Sequence, residues 1–406
     1  MEDGRGACAF LAKAAAAFTV LSLLPVALSG LAPSHASTAL RHLYPTSADS
    51  AAPADNVPWS TSLFGAFSFQ GGEVSGTYVH FTYNITTGTV NSVLNLAGDT
   101  PVTYLRSIQI DGFLASPQGI STDGPIFRSQ GFFVSFIAHD DPTILLEVRS
   151  TTTRLATIEL PPSASNVSLV TAPGSWPASS VSFTVGSGQG RLFLGAGSMS
   201  VSGNTVLAQM ADADLLLFKS VPAGATNRVL WDTVLNAIRD GQLVAELDLV
   251  ATPNGEWVEN AVRFRNDVDA WPLTVVPGRA SVQVNSSSPR PVIILLAFDT
   301  VTMPAGDPPN LRVQANGTTV NRTGDTLMVF DPLETMRQEA AYALLPLPGT
   351  VVALYLPSPA SIAVDIASTP HEVPAPAFDG GSEVAVIAAL AIVSAAAAHM
   401  LRRRDA

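Results

Sequence analysis

Hydrophobic and polar positions along this chain change texture three times. From position 59 to about 368 the pattern is one of short β-prone runs cut by Gly, Asn, Asp and Pro. Val79, Phe81 and Tyr83 alternate with His80 and Thr82, the period-two signature of a half-buried strand. Runs at 132–138 and 143–148 flank His139-Asp140-Asp141-Pro142 and predict a hairpin with a four-residue turn. Residues 181–185 and 191–194 flank a loop expected at 186–190, and Gly203-Asn204 predicts a two-residue turn of the primed kind. Asn316-Gly317 after 311–315 is the strongest short hairpin signal, and runs at 351–356 and 361–366 close the series around Pro357-Ser358-Pro359.

Two stretches carry a helical period instead. Leu230, Val234 and Ile238 fall on one face with Trp231 and Leu235 beside it, and Gly241 suits the position just past the helix end. A second helix is expected from Asp331, with Pro332 at the first helical position and Glu334 completing a capping box. Strands this dense, with turns between neighbours, predict a mainly β, antiparallel sandwich or barrel-like architecture with two short helices. A boundary near 222 divides it into a first β domain, 59–222, and a second with the helices, 223–372. Residues 37–58, rich in Ala, Ser, Pro and Asp, read as a flexible lead-in.

At the two ends the texture is neither. Arg5 and Lys13 precede an apolar run at 14–32, and Ser34 and Ala36 give the small-x-small pattern of a signal peptide, 1–36. Residues 384–401 are apolar and are followed by Arg402, Arg403 and Arg404. Eighteen residues at about 1.5 Å each give roughly 27 Å, enough for a hydrocarbon core of about 30 Å. The arginines of the tail, 402–406, stay cytoplasmic under the positive-inside rule, so the β region faces out. A Pro-rich spacer, 373–383, precedes the helix. This tail, Pro374-Ala375-Pro376-Ala377-Phe378, then an apolar helix, then arginines, resembles the tripartite sorting signals of prokaryotic surface proteins, the PGF-CTERM and PEP-CTERM types. Pro376-Ala377-Phe378 departs from Pro-Gly-Phe at its middle residue. The resemblance covers about thirty residues and implies that the helix is removed and replaced by another anchor.

Composition sharpens the address. The formal net charge is −12, and an acidic surface repels phosphate backbones, which argues against nucleic acid as a partner. The one cysteine, Cys8, lies in the segment expected to be removed, leaving no disulfide, Cys-ligated zinc or thiolate nucleophile. A large exported region without thiols reads as prokaryotic, archaeal-like. Sequons at Asn84, Asn166, Asn285, Asn316 and Asn321 fit a glycoprotein, and none lies in a terminal apolar segment.

Candidate chemistry is sparse. His139-Asp140-Asp141 suggests a metal or proton-transfer cluster, but Asp-Asp-Pro between apolar runs is ordinary turn chemistry. Asp212 and Asp214 alternate with alanines and are expected on one face of a strand; Asn266, Asp267 and Asp269 form a second oxygen-rich stretch. These aspartates are the candidate ligands of a structural calcium ion, the one cofactor left open, although neither stretch has an EF-hand spacing. Gly186 to Gly190 gives G-x-G-x-G, but no helix pattern follows it as a dinucleotide fingerprint requires. No catalytic constellation emerges, so the expectation is a single-pass surface protein of structural, adhesive or ligand-contacting type, with the membrane and other envelope proteins, such as a surface layer, as partners. An anchored hydrolase working through carboxylates or calcium is the alternative.

Overall fold

A computed structural model describes residues 63–368, apart from 99, 114, 222–226, 252–256, 266, 301, 304–310, 332–337 and 346–348. The signal peptide, the lead-in, the spacer, the apolar segment 384–401 and its arginines therefore lie outside the described residues. Among those described, no helix is long and apolar enough to cross a membrane. All belong to one compact unit, Asn56–Ala406.

Among the described residues the fold is mainly β, in four sheets, two of eight strands, one of six and one of five. The first two sheets use strands between Ser68 and Val221, and the other two use strands between Leu243 and Ser368. Strand Val79–Asn84 shows how the alternation works: Val79, Phe81 and Tyr83 are buried between the first two sheets while Thr82 and Asn84 face water. Strands covered on both faces look different. Asp214–Val221, Val292–Phe298 and Thr350–Leu356 are buried at every position, and their sequences are near-continuous apolar runs.

Three cores follow from this layering. The first lies between the first and second sheets and is rich in aromatic rings. The third lies between the third and fourth sheets and is almost wholly aliphatic. Between them, Leu145, Phe193 and Leu217 on the outer face of the second sheet meet Ile293, Leu295 and Ala353 of the third. Helix Arg228–Arg239 packs into this middle core through Leu230, Trp231, Val234, Leu235, Ala237 and Ile238, the face that the sequence period marks. Asn227 caps its start, its side chain accepting from the Leu230 amide at 3.1 Å. At the other end the Gln242 amide donates to the Ala237 carbonyl and the Gly241 amide to the Ile238 carbonyl, with Gly241 at φ +67°. That is a Schellman motif, with glycine where the pattern placed it.

The hairpins expected around residues 139–142, 203–204 and 316–317 all form, and Asn316 and Gly317 both take positive φ, as a type I′ turn requires. Two expectations are corrected. The loop at 186–190 shrinks to a Gly186-Ser187 turn, because Gly188–Leu194 is strand. A Cβ at Gly188 would overlap the Tyr104 hydroxyl, and one at Gly190 would overlap the ring of its cross-strand partner Phe183. Close approach explains those two glycines, not phosphate. Strands Thr350–Leu356 and Ser361–Ser368 do not pair with each other; the Pro-rich link carries the chain from the third sheet to the fourth. Asp331 closes a short helix, Leu327–Phe330, and the helix expected to start at Asp331 would run through 332–337, which lie outside the described residues. Pairing is antiparallel except at two places among the described strands. Leu243–Ala251 runs parallel to Val292–Phe298, and the connection such a pair needs passes through the third-sheet strand Trp257–Arg263 and then the fourth-sheet hairpin Val268–Val276 and Arg279–Ser286.

Candidate functional site

Three polar constructions stand out from the apolar frame. The first is a staple around Asp140, in the turn after strand Val134–His139. Its carboxylate is fully buried and accepts from the backbone amides of Thr77, Tyr78 and Val79 at 2.7 to 2.9 Å. Its own amide donates to the Pro125 carbonyl, and its carbonyl accepts from the Gly65 amide. Side chains at Gly65 or Gly76 would collide with the carboxylate, so glycine at both lets the chain close over it. Burial pushes the Asp140 carboxyl up to about 7, against the three amide donors that favour its charge. The same burial, with the charges of Asp140 and Asp141, pushes the Tyr78 phenol up to about 12. Asp141 alone follows local turn chemistry, accepting from the Thr143 amide and hydroxyl at 2.6 Å.

The second construction is a charged layer between the second and third sheets. Lys219, 1% exposed, donates to both carboxylate oxygens of Glu246, at 3.1 and 2.7 Å. Burial pulls the Lys219 ammonium down, but Glu246 and Asp141 outweigh it, and its pKa stands above the ordinary lysine value. Asp141, Thr143, Glu246 and Asp248 line a cavity of about 30 Å³ beside this pair. On the same face of the second sheet, Glu147 takes His139 Nε2 at 3.1 Å on one oxygen and Arg149 on the other. Burial raises the Glu147 carboxyl, yet His139 and Arg149 more than offset it, so its pKa falls below the usual carboxylate value.

The third is open. A cleft of about 530 Å³ lies at the C-terminal end of helix Arg228–Arg239, within the 300–1,000 Å³ range common for small-ligand sites. Its walls come from several elements. Trp176 comes from the Pro-Gly-Ser loop between strands Ala164–Thr171 and Ser179–Val185, which hydrogen bonds from Ala172 to Ala178 and from Ser175 to Ala172 hold shut. Gly241 and Gln242 come from the helix end, Tyr355 from strand Thr350–Leu356, and Phe330 from the short helix. Arg265, 7% exposed, donates from Nη1 to the Gly241 carbonyl at 2.8 Å and grips Asp267 with Nε and Nη2. A cation at a helix C-terminus also meets the negative end of the helix dipole. Asp240, at the rim, is held bidentately by Arg239 at 2.8 and 3.0 Å.

The aspartates singled out from sequence do not converge. Asp212 and Asp214 are not on one strand face: Ala213 between them takes φ +54° in a tight turn. Asp212 is exposed and accepts from the Thr153 amide and hydroxyl, while buried Asp214 accepts from the amides of Ala196, Ala211 and Leu215. Burial raises the Asp214 carboxyl, the three amides pulling against it. Asp267 pairs with Arg265, Asp269 with Arg263, and Asn266 lies outside the described residues. Among the described residues no group of three or more His, Cys, Asp and Glu is arranged to hold a metal ion. Of the sequon asparagines, Asn84, Asn166, Asn316 and Asn321 are exposed and Asn285 is partly covered.

No protein-family model matches the chain, and no curated protein matches it. Among solved structures it is similar to an active YidC insertase crystal structure with the first transmembrane domain resolved, at 10% identity and a TM-score of 0.24. That overlap covers 44% of this chain and 47% of the insertase chain, so this chain spans about half the length of that structure, and a score this low does not establish a shared fold.

Proposed function

We propose that this chain is an exported, single-pass cell-surface protein whose β body contacts a ligand outside the membrane. The address rests on the apolar segment 384–401 with Arg402, Arg403 and Arg404 behind it. Exposed sequons at Asn84, Asn166, Asn316 and Asn321 are consistent with a glycosylated outer face. The observation that carries ligand contact is the open cleft, where Trp176 and the Arg265–Asp267 pair lie beside each other on a rigid β frame. A hydrolase would need two inward carboxylates free to act. Two of the cleft's aspartates, Asp240 and Asp267, already have both oxygens engaged by arginine, which favours binding over turnover.

The test is fractionation of cells producing the full chain and a form ending at residue 381. The full chain should stay with alkaline-washed membranes and be cut by external protease in intact cells. The shortened form should leave the membrane fraction. If both forms are equally membrane-bound, or neither is reached by protease, the surface reading is wrong.

A further inference from the structure

We propose that the cleft at the C-terminal end of helix Arg228–Arg239 is a binding site for a neutral saccharide. This rests on the surface reading only in that the sugar is met outside the cell; the chemistry of the cleft is argued from its own residues. Its floor mixes buried Tyr355, Phe330 and Ile293 with the Arg265–Asp267 pair. A purely apolar ligand would strip water from that ion pair and leave its remaining hydrogen-bonding capacity unmet. A phosphate ligand would meet three carboxylates, Asp240, Asp267 and Asp331, against only two guanidinium groups in the lining, Arg265 and Arg290, and Arg265 is already engaged by Asp267. A polyhydroxylated ring avoids both penalties, because each hydroxyl can donate to a carboxylate and accept from a guanidinium.

The donor count supports this. Arg265 uses three of the roughly five N–H groups a guanidinium carries on Asp267 and Gly241, and the pair is thereby fixed rather than floppy. Asp267 is held by two points of contact, so vicinal hydroxyls would face a fixed set of donors and acceptors. Gln242 and Arg290 are exposed at the rim, and their side chains have no partner among the described residues. Trp176 is partly exposed and packs against the middle core, so its ring is a platform that costs little entropy to present. With Arg239, which lies outside the lining but holds Asp240, three arginines (Arg239, Arg265, Arg290) stand against three aspartates (Asp240, Asp267, Asp331) around the cleft, which suits a ligand without net charge.

Isothermal titration of the full chain in detergent, with maltotriose, mannotriose and chitotriose in turn, tests this. At least one should bind, at one site per chain. Losing an aromatic platform is worth about 1.4 kcal/mol, so Trp176→Ala should weaken that affinity about tenfold. Because Trp176 touches the middle core, Gln242→Ala and Arg290→Ala are the controls for folding. Both side chains are exposed, and each variant should weaken binding several-fold at an unchanged melting temperature. Three results overturn the proposal: no binding of any of the three sugars, binding that none of the variants alters, or inorganic phosphate displacing the bound sugar from the cleft. The fractionation above reads location independently, so a sugar-binding failure and an anchoring failure are separately visible.

Discussion

The core between the first two sheets and the layer between the second and third solve the same problem with opposite chemistry. In the first, Phe127 meets Phe69, Phe81, Tyr83 and Phe136 with ring centroids 5.4 to 6.2 Å apart, mostly edge to face. Its specific polar contacts are few, among them the Tyr83–Ser129 hydroxyl pair and the Tyr104 hydroxyl donating to the Val221 carbonyl, so shape does most of the work. In the second, helix Arg228–Arg239 and the apolar faces still pack, but Lys219, Glu147 and His139 are buried among them, with Glu246 partly buried beside Lys219. Hydrophobic contact is non-directional and would tolerate the two sandwiches sliding over each other. A lysine that must find one glutamate is not tolerant. The charged layer therefore fixes how the sandwiches register, and the aromatic core supplies the stability.

The largest effects should come from the aromatic side. Phe127→Ala opens a void at the junction of four rings and should cost about 4 kcal/mol in chemical denaturation. A loss under about 1 kcal/mol would mean that the neighbouring rings collapse into the space and the first core is not closely packed. In the charged layer, Lys219→Met should cost about 3 kcal/mol, because it strands Glu246 in a poorly solvated place. The double variant Lys219→Met, Glu246→Leu separates the two roles. Its stability should return to within about 1 kcal/mol of the original or exceed it, as apolar replacement of buried pairs often does. What should suffer is uniqueness: broadened resonances, or more than one arrangement of the two sandwiches. A double variant as destabilised as the single one would make the pair a source of stability and remove the contrast drawn here.

Asp140 stands between these extremes, a charge-bearing group that holds the first sandwich's edge. Asp140→Ala leaves three backbone amides without an acceptor and should cost about 3 kcal/mol. Its pH dependence runs against the familiar carboxylate trend. The folded pKa is raised to about 7, so the folded state holds a proton that the unfolded chain releases near 4. Its contribution is full below the unfolded value and declines as pH rises towards 7. Glu147 acts oppositely: its folded pKa is lowered, so what it contributes is present above the unfolded value and lost as pH falls through the folded one. Lys219, raised, contributes up to its unfolded value and loses that above its folded one. Stability measured from pH 4 to 7 should thus carry a falling component that Asp140→Asn removes. A profile unchanged by that substitution would place the carboxylate in the charged state throughout, held there by its three amides.

Local signals read well where the determining contact is local. The helix face of Leu230, Val234 and Ile238, the Asn316-Gly317 turn and the alternation of Val79–Asn84 needed only neighbours. Asp140 and Asp141 look alike in sequence, and only one is a turn residue in the usual sense. The partners of Asp140 lie 61 to 63 positions away, beyond any spacing rule. Strand Ser361–Ser368 was visible but its sheet was not, because a Pro-rich link reads the same whether it closes a hairpin or crosses between layers. The cleft was hidden for the same reason. Trp176 sits in a Pro-Gly-Ser stretch indistinguishable from a loop, while Gln242 past the helix end, Arg265 in a loop and Tyr355 on a strand meet it from distant positions in sequence. A tryptophan in a turn-forming stretch was the one available hint.

The smallest perturbation tests whether the middle layer and the cleft are one device. Asn227→Ala removes the side-chain acceptor for the Leu230 amide and should cost about 1 kcal/mol. Its site is the helix start, about 20 Å from the cleft for a helix of this length at about 1.5 Å per residue. The Schellman end, with Gln242 bonded to Ala237 and Arg265 to Gly241, does not involve Asn227. Ligand affinity at the cleft should therefore be unchanged while the melting temperature falls. If affinity drops along with stability, fraying from the cap reaches the far end, and the helix transmits the state of the charged layer to the cleft. Combining Asn227→Ala with Lys219→Met then discriminates further: additive losses mean independent supports, whereas a smaller combined loss means that both act through the same docking of the helix between the sheets.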